Sequence, residues 1–303
     1  MRIGIVSAGA ADPSAGIEEL VAEAQIAEAD GFQFLSVPNI FGVDAITALA
    51  IAGRETNQIE LATGVVPSPP RHPLALAQQA LTAQAAAGGR FVLGIGLSHK
   101  LVIEDMMGLT YAKPAKQMRE YLEVLMPLMR GEPTNFEGDL YQVKGSISVA
   151  GASTVPVIVA ALGPKMLEVA GTLADGTATW MTGRRTLAEL TVPTIGKAAE
   201  AAGRPAPRVI TALPLALTGD AAGARETAGK IFAMYGTLPS YRAMLDREGA
   251  DGPGDVALTG DEASLREQIQ QLRDAGVTDF AASLFEAEAG CVQRTREFLA
   301  SEI

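Results

Sequence analysis

The chain is poor in the residues that carry most covalent and metal chemistry: its 303 residues include one cysteine and two histidines. A single cysteine, Cys291, excludes an intramolecular disulfide and fits a reducing, cytoplasmic setting. It falls in the last helical pattern, where packing is a better account of it than nucleophilic chemistry. No histidine and carboxylate group has metal-ligand spacing, so no metal is expected. Basic residues are also scarce, 24 against 35 acidic, and the net charge is −11. That balance argues against a broad nucleic-acid surface. No run of about 18 uncharged apolar residues suggests a membrane span. The opening MRIGIVSAGAADPS lacks the apolar stretch of a signal peptide. There is no Walker A loop and no Gly-x-Ser-x-Gly elbow. Gly94-Ile95-Gly96 lacks the third glycine of a dinucleotide fingerprint, so its glycines are read as letting a ligand approach the backbone.

What is abundant is apolar sequence, 48% of the chain, arranged in short runs between amphipathic stretches. Strands are expected at Arg2–Ser7, Phe32–Val37, Ile59–Val65, Arg90–Ile95, Pro156–Ala160, Gly176–Met181, Arg208–Leu217 and Thr278–Phe285. Most are continuous apolar runs, as in strands buried on both faces. The helices between them have recognisable ends. Asp12-Pro13 reads as an N-cap followed by a first-turn proline, with Gly31 as the stop. Asp261 reads as the cap of the helix carrying Leu265, Ile269 and Leu272, which Gly276 ends. Eight βα units in order predict a single (β/α)8 TIM barrel over residues 1–303. Two insertions are expected, a hairpin within about 131–154 and an irregular segment at about 238–254.

A barrel of this kind places its site at the C-terminal ends of the strands. That rule selects Ser7, Asn39, Gly64-Val65, Gly96 to His99, Ala161 to Lys165, and Trp180-Met181. His72, in Arg71-His72-Pro73, is read as bonding the turn backbone. His99 stands just past the fourth strand, where a ligand contact and a structural role are both open. Ala161-Leu162-Gly163-Pro164-Lys165 ends one strand and opens a helix, whose free N–H groups can hold a phosphate. Trp180, the one tryptophan, is either core or the wall of a planar-ligand pocket.

Four segments carry a resemblance: LATGVVPSPPRHPLALAQQALT, GGRFVLGIGLSHKLVIEDMMGLTYAKPAKQMREYLEVL, VPVIVAALGPKMLEVAGTLADGTATWMT and LREQIQQLRDAGVTDFAAS. Together they resemble the luciferase-like monooxygenase superfamily, in its branch dependent on the deazaflavin coenzyme F-420. The resemblance implies a luciferase-like barrel, usually a homodimer, with the cofactor ring across the barrel mouth. It implies a cis peptide at Gly64-Val65 backing the ring. It also implies a phosphate resting on the backbone around Ala161, Leu162 and Gly163, with Ser98 and His99 lining the phosphate or side-chain channel. Cofactor contacts are thus expected at Ser7, Asn39, Gly64, Val65, Gly96, Ser98, His99, Ala160, Ala161, Leu162, Gly163 and Pro164. The substrate wall is expected at Phe41, Trp180, Met181 and Phe285.

The alcohol dehydrogenases of the branch carry an ionisable pair after strand two, where this chain has Val37-Pro38-Asn39-Ile40. Without an evident base, hydride transfer to a small or medium organic substrate is favoured in the direction of reduction. Asn39 and His99 are the catalytic candidates. The alternatives are an FMN-dependent monooxygenase on the same fold and a non-catalytic barrel serving as a binding or partner subunit.

Overall fold

The structure, a computed structural model, describes residues 1–303 apart from the side chain of Ala11. The barrel strands are β1 (Arg2–Val6), β2 (Phe34–Val37), β3 (Glu60–Thr63), β5 (Phe91–Gly96), β8 (Val157–Ala160), β9 (Gly176–Trp180), β10 (Arg208–Leu217) and β12 (Asp279–Leu284). Each pairs in parallel with the next, and β12 returns to β1, so the sheet closes on itself. Closure leaves no free edge. The expected (β/α)8 barrel is therefore present, with all eight strands where the apolar runs fall.

Apolar alternation separates two layers. Ile3, Ile5, Leu35, Leu61, Phe91, Leu93, Val157 and Val159 face outward into one core with the helices. Phe34, Ala62, Val92, Ile158, Ile210 and Ala281 fill the barrel interior. Below them, at the N-terminal end, four charged side chains plug the barrel. Arg208 bonds Asp279 at 2.7 Å and Glu60 at 2.8 Å, and Arg2 reaches both carboxylates at 3.1 Å.

The covering helices are α1 (Ile17–Ala29), α2 (Ala45–Glu55), α3 (Pro73–Ala86), α4 (Pro114–Met129), α5 (Pro164–Leu173), α6 (Arg184–Thr186), α7 (Val192–Ala201), α8 (Ala221–Ile231), α9 (Pro239–Glu248), α10 (Glu262–Asp274) and α11 (Cys291–Ser301). Among the described residues, no helix is long and apolar enough to cross a membrane. Asp261 caps α10 by accepting from Ser264 N at 2.8 Å, as expected. Gly31 and Gly276 follow α1 and α10 at φ 87° and 90°. The expected cap at Asp12 is displaced. Its carboxylate accepts from Ser14 N and Oγ in a local turn, and α1 starts only at Ile17, behind Gly16. A proline directly after such a turn-former does not compel a helix.

The hairpin expected within 131–154 is β6 (Thr134–Glu137) paired antiparallel with β7 (Gln142–Gly145). Buried Glu120 of α4 accepts from the amides of Asp139, Leu140 and Tyr141 and so holds its turn. The segment 238–254 is less irregular than its sequence suggests. It contains α9, and β11 (Leu258–Gly260) follows as an added strand beside the far half of β10.

Candidate active site

The interior changes character toward the C-terminal end. The deep positions Phe34, Ala62, Val92, Ile158 and Ala281 are buried, whereas Ser36, Ala160, Ala178, Ala212 and Ser283 above them are half-exposed and Gly64 is exposed. These upper side chains are small or absent, so the mouth is open above a packed floor.

One side of the mouth is shaped by a bulge. Strand β3 ends at Thr63, and β4 (Val66–Pro67) resumes pairing with β5, with Leu61 opposite Phe91 but Val66 opposite Ile95. One extra residue is thus accommodated. The Gly64-Val65 peptide within it is cis, as expected. The hydroxyl of buried Thr63 replaces the interrupted ladder, donating to Gly94 O and accepting from Gly94 N, both at 2.8 Å. This arrangement corrects the reading of Gly94-Ile95-Gly96. A Cβ on Gly94 would collide with the Thr63 carbonyl, and one on Gly96 would stand 2.9 Å from Val65 Cγ2 and 3.1 Å from Ala160 Cβ. Both glycines make room for the chain's own bulge rather than for a ligand.

Other predicted residues are partly committed within the chain. The Ser7 hydroxyl donates to Glu23 and accepts from Ala10 N. Asn39 Oδ1 accepts from Ala45 N at 3.1 Å, which leaves only its amide N–H groups for a ligand. His72 caps α3 through Nδ1, as expected. Cys291 is buried, with its thiol on Leu217 O, which fits the packing role.

Across the mouth, β8 leads through buried Ala161 and half-buried Leu162 to Gly163, the N-cap of α5, with Pro164 in the first turn. The amides of Leu162 and Gly163 have no acceptor among the described residues. Gly163 has φ −83°, and a Cβ there would meet nothing within 4 Å. Nothing in the chain itself requires glycine at this position.

The expected substrate wall is mostly corrected. Met181 has no exposed surface and packs in the outer core, because its left-handed backbone (φ 54°) turns the chain away after β9. Phe285 is buried in a satellite cluster with Ala216, Ala224 and Cys291. Phe41 is 65% exposed and stands clear of the core. Trp180 alone stands half-buried at the rim, in register with Ala212.

Around Trp180 the structure assembles residues that the strand-end rule does not reach. Tyr235 and Tyr241, from the segment joining α8 to α9 and from α9, form a continuous aromatic series. His99 meets Tyr241 at 5.7 Å between ring centroids, Tyr241 meets Tyr235 at 5.2 Å, and Tyr235 meets Trp180 at 5.6 Å. Phe232 extends the series to Phe285. The available signal was composition. Aromatics are 5% of the chain, yet Phe232, Tyr235 and Tyr241 stand within ten residues. Burial lowers the His99 pKa below its ordinary 6.5 and raises those of both tyrosines. Burial thus favours the neutral form of the His99 ring. Among the described residues no cluster of metal-ligating side chains occurs.

Comparison with known proteins adds the ancestry of this arrangement. Residues 1–301 match the family model described as luciferase-like monooxygenase. A 5,10-methylenetetrahydromethanopterin reductase of Methanolobus tindarius is 27% identical over 292 residues, 95% of this chain and 88% of that one. A protein of Mycobacterium tuberculosis named as a putative coenzyme F-420-dependent oxidoreductase is 31% identical over 191 residues, 58% of this chain and 54% of that one. Among solved structures, a coenzyme F-420-dependent tetrahydromethanopterin reductase from Methanopyrus kandleri superposes with a TM-score of 0.82 at 22% identity, covering 100% and 98% of the two chains.

Proposed function

The chain belongs to the luciferase-like monooxygenase family, and from that premise we propose that it is an oxidoreductase that uses coenzyme F-420 to reduce a small or medium organic substrate. The observation that carries the reading is the open mouth, with small side chains above a packed floor and the Thr63–Val65 bulge at one side. Relatives named for F-420 or for methanopterin reduction support the choice of cofactor.

When bound, the coenzyme supplies hydride chemistry at C5 of its deazaflavin ring. The chain's part is to bind, orient and exclude water. The bulge and Ala160 offer the ring a surface without charge. The amides of Leu162 and Gly163, with the N-terminus of α5, would hold the phosphate. The Asn39 amide would donate a hydrogen bond but cannot take a proton, so a base-driven oxidation has no base at the end of β2. A homodimer in solution, measured by light scattering, is part of the same reading.

Titration of the purified chain with F-420 and with FMN tests the proposal. F-420 is expected to bind and to exchange hydride; tighter binding of FMN would favour a flavin monooxygenase instead, and binding of neither would favour a non-catalytic barrel.

A further inference from the structure

Between Val37, the last residue of β2, and Ala45, the first of α2, the chain runs as a loop that carries Asn39. The loop has little packing of its own: Ile40 and Phe41 are 46% and 65% exposed. It closes on the start of α2. Asn39 Oδ1 accepts from Ala45 N, and Asp44 Oδ1 caps the helix by accepting from Thr47 N and Oγ. Among the described residues, a single hydrogen bond ties residues 38–44 to a part of the chain other than α2. In it Asp44 Oδ2 accepts from Arg71 Nη2 at 3.1 Å.

Arg71 is the fixed end of that tie. Its N donates to Ser68 O at 3.0 Å, and its O accepts from the buried Tyr121 hydroxyl at 2.9 Å. Ser68 N in turn donates to Gly96 O at the end of β5. The other arm of the guanidinium, Nη1, donates at 3.0 Å to Pro67 O, on the strand β4 that resumes after the Gly64-Val65 bulge. One planar group therefore spans the bulge on one side and the loop of Asn39 on the other. Gly64 N already donates to Val37 O, so the sheet fixes where the loop begins. The Arg71–Asp44 pair fixes where it ends. A guanidinium fork holds two acceptors at a set separation, which a lysine ammonium does not.

We propose that Arg71 is a positioning residue for the cofactor site, holding Asn39 at a fixed distance from the bulge through Asp44. The proposal rests on the oxidoreductase reading above, in which the bulge backs the ring and the Asn39 amide donates to the ligand. Arg71 itself is assigned no ligand contact. With both ends of the loop fixed, the Asn39 side-chain oxygen stays on Ala45 N and its N–H groups stay available. Without the clamp the loop has to be ordered when the ligand binds, and that ordering weakens affinity. The rival account is charge alone, in which a cation near the mouth attracts an anionic cofactor. The two accounts differ in sign at Asp44. Removing its carboxylate breaks the clamp, yet it leaves Arg71 less neutralised and so a stronger attractor.

The variants are Arg71→Met, Arg71→Lys and Asp44→Asn. Asparagine is a good N-cap, so the last change keeps the start of α2. Thermal unfolding checks that each variant folds. F-420 titration, followed by fluorescence, should show roughly tenfold weaker binding in Arg71→Met and in Asp44→Asn. The two changes combined should stay within about twofold of the weaker single variant, because both break one link. Arg71→Lys should recover only part of the loss. Unchanged or tighter binding in Asp44→Asn, or full recovery with lysine, overturns the clamp in favour of charge. A second readout needs no cofactor. The chain has three asparagines, Asn39, Asn57 and Asn135, so isotopic labelling of asparagine alone resolves their side-chain amides by NMR, with Asn39→Ala identifying the first. In Arg71→Met the Asn39 signals should move toward those of a free amide, while Asn57 and Asn135 keep theirs. Asn39 signals that stay in place overturn the positioning role. Failure of F-420 to bind the unaltered chain strikes the oxidoreductase reading instead, and the Asn39 signals then judge the clamp on their own.

Discussion

At the scale of single residues, two glycines that look alike in sequence have opposite meanings. Gly94 is required by the protein, because a Cβ would strike the Thr63 carbonyl at the bulge. Gly94→Ala should cost about 1–3 kcal/mol in chemical denaturation through overpacking. Gly163 is surrounded by open space, and its backbone is one that any residue adopts. Gly163→Val should cost only about 0.5–1 kcal/mol, from the weaker N-cap. Its F-420 affinity, read by fluorescence titration, should nevertheless fall roughly tenfold if the amides there hold the phosphate. His99 makes a second prediction, in pH. Its pKa is lowered in the folded chain by burial. Between that lowered value and 6.5 the unfolded chain binds the proton and the folded chain does not. This contribution to stability is therefore present above pH 6.5 and is lost as pH falls toward the folded value. Unfolding curves at about pH 7.5 and 5.5 should show a smaller loss in His99→Phe than in the parent chain.

At the scale of elements, the segment that carries the tyrosines is anchored in the core by Leu245 and tied to the loop after β9 by Glu248. Glu248 takes three hydrogen bonds from the start of α6, at 2.8 to 3.0 Å. Glu248→Ala removes a charged acceptor from all of them, a loss of about 1.5–3 kcal/mol for such bonds. The effect should be local. Amide exchange is expected to quicken in residues 233–249 and at Arg185 and Thr186, while the barrel strands keep their protection. Equal loosening of β1 and β12 would mean that α9 is part of the barrel's cooperative unit. The position of α9 was not legible in sequence for a related reason. Its turn-formers, Leu238-Pro239-Ser240 and Gly249, read as loop, yet Pro239 serves as the first helical residue and Gly249 at φ 79° as the stop.

At the scale of the whole molecule, the barrel is closed at one end by charge and open at the other. Asp279 is 1% exposed and shares Arg2 and Arg208 with Glu60. Asp279→Ala would leave two partly exposed guanidinium groups with one carboxylate, a cost of about 1–3 kcal/mol. Equilibrium unfolding in urea should register that loss. Because the plug lies at the opposite end from the mouth, F-420 affinity measured on the folded fraction should be unchanged. A matching loss of affinity would indicate that the plug sets the shape of the mouth through the strands between.

The barrel itself was determined by sequence alone. Parallel strands buried on both faces need continuous apolar runs, helices between them need caps and stops, and eight such units in order leave little choice of architecture. The cap at His72 was legible from its place before Pro73, and the packing of Cys291 from the last helical pattern. Tertiary structure alone decided which side chains meet. Thr63 was an ordinary strand residue until its hydroxyl was seen to bridge Gly94 across the bulge. Met181 moved from wall to core through a single left-handed residue, a local conformation that no apolar pattern encodes. Tyr241 lies far from His99 and Trp180 in the chain, and only closure of the barrel brings the three to one rim. Periodicity reports how a segment faces its nearest layer; contacts between loops depend on how far every strand and helix before them has carried the chain.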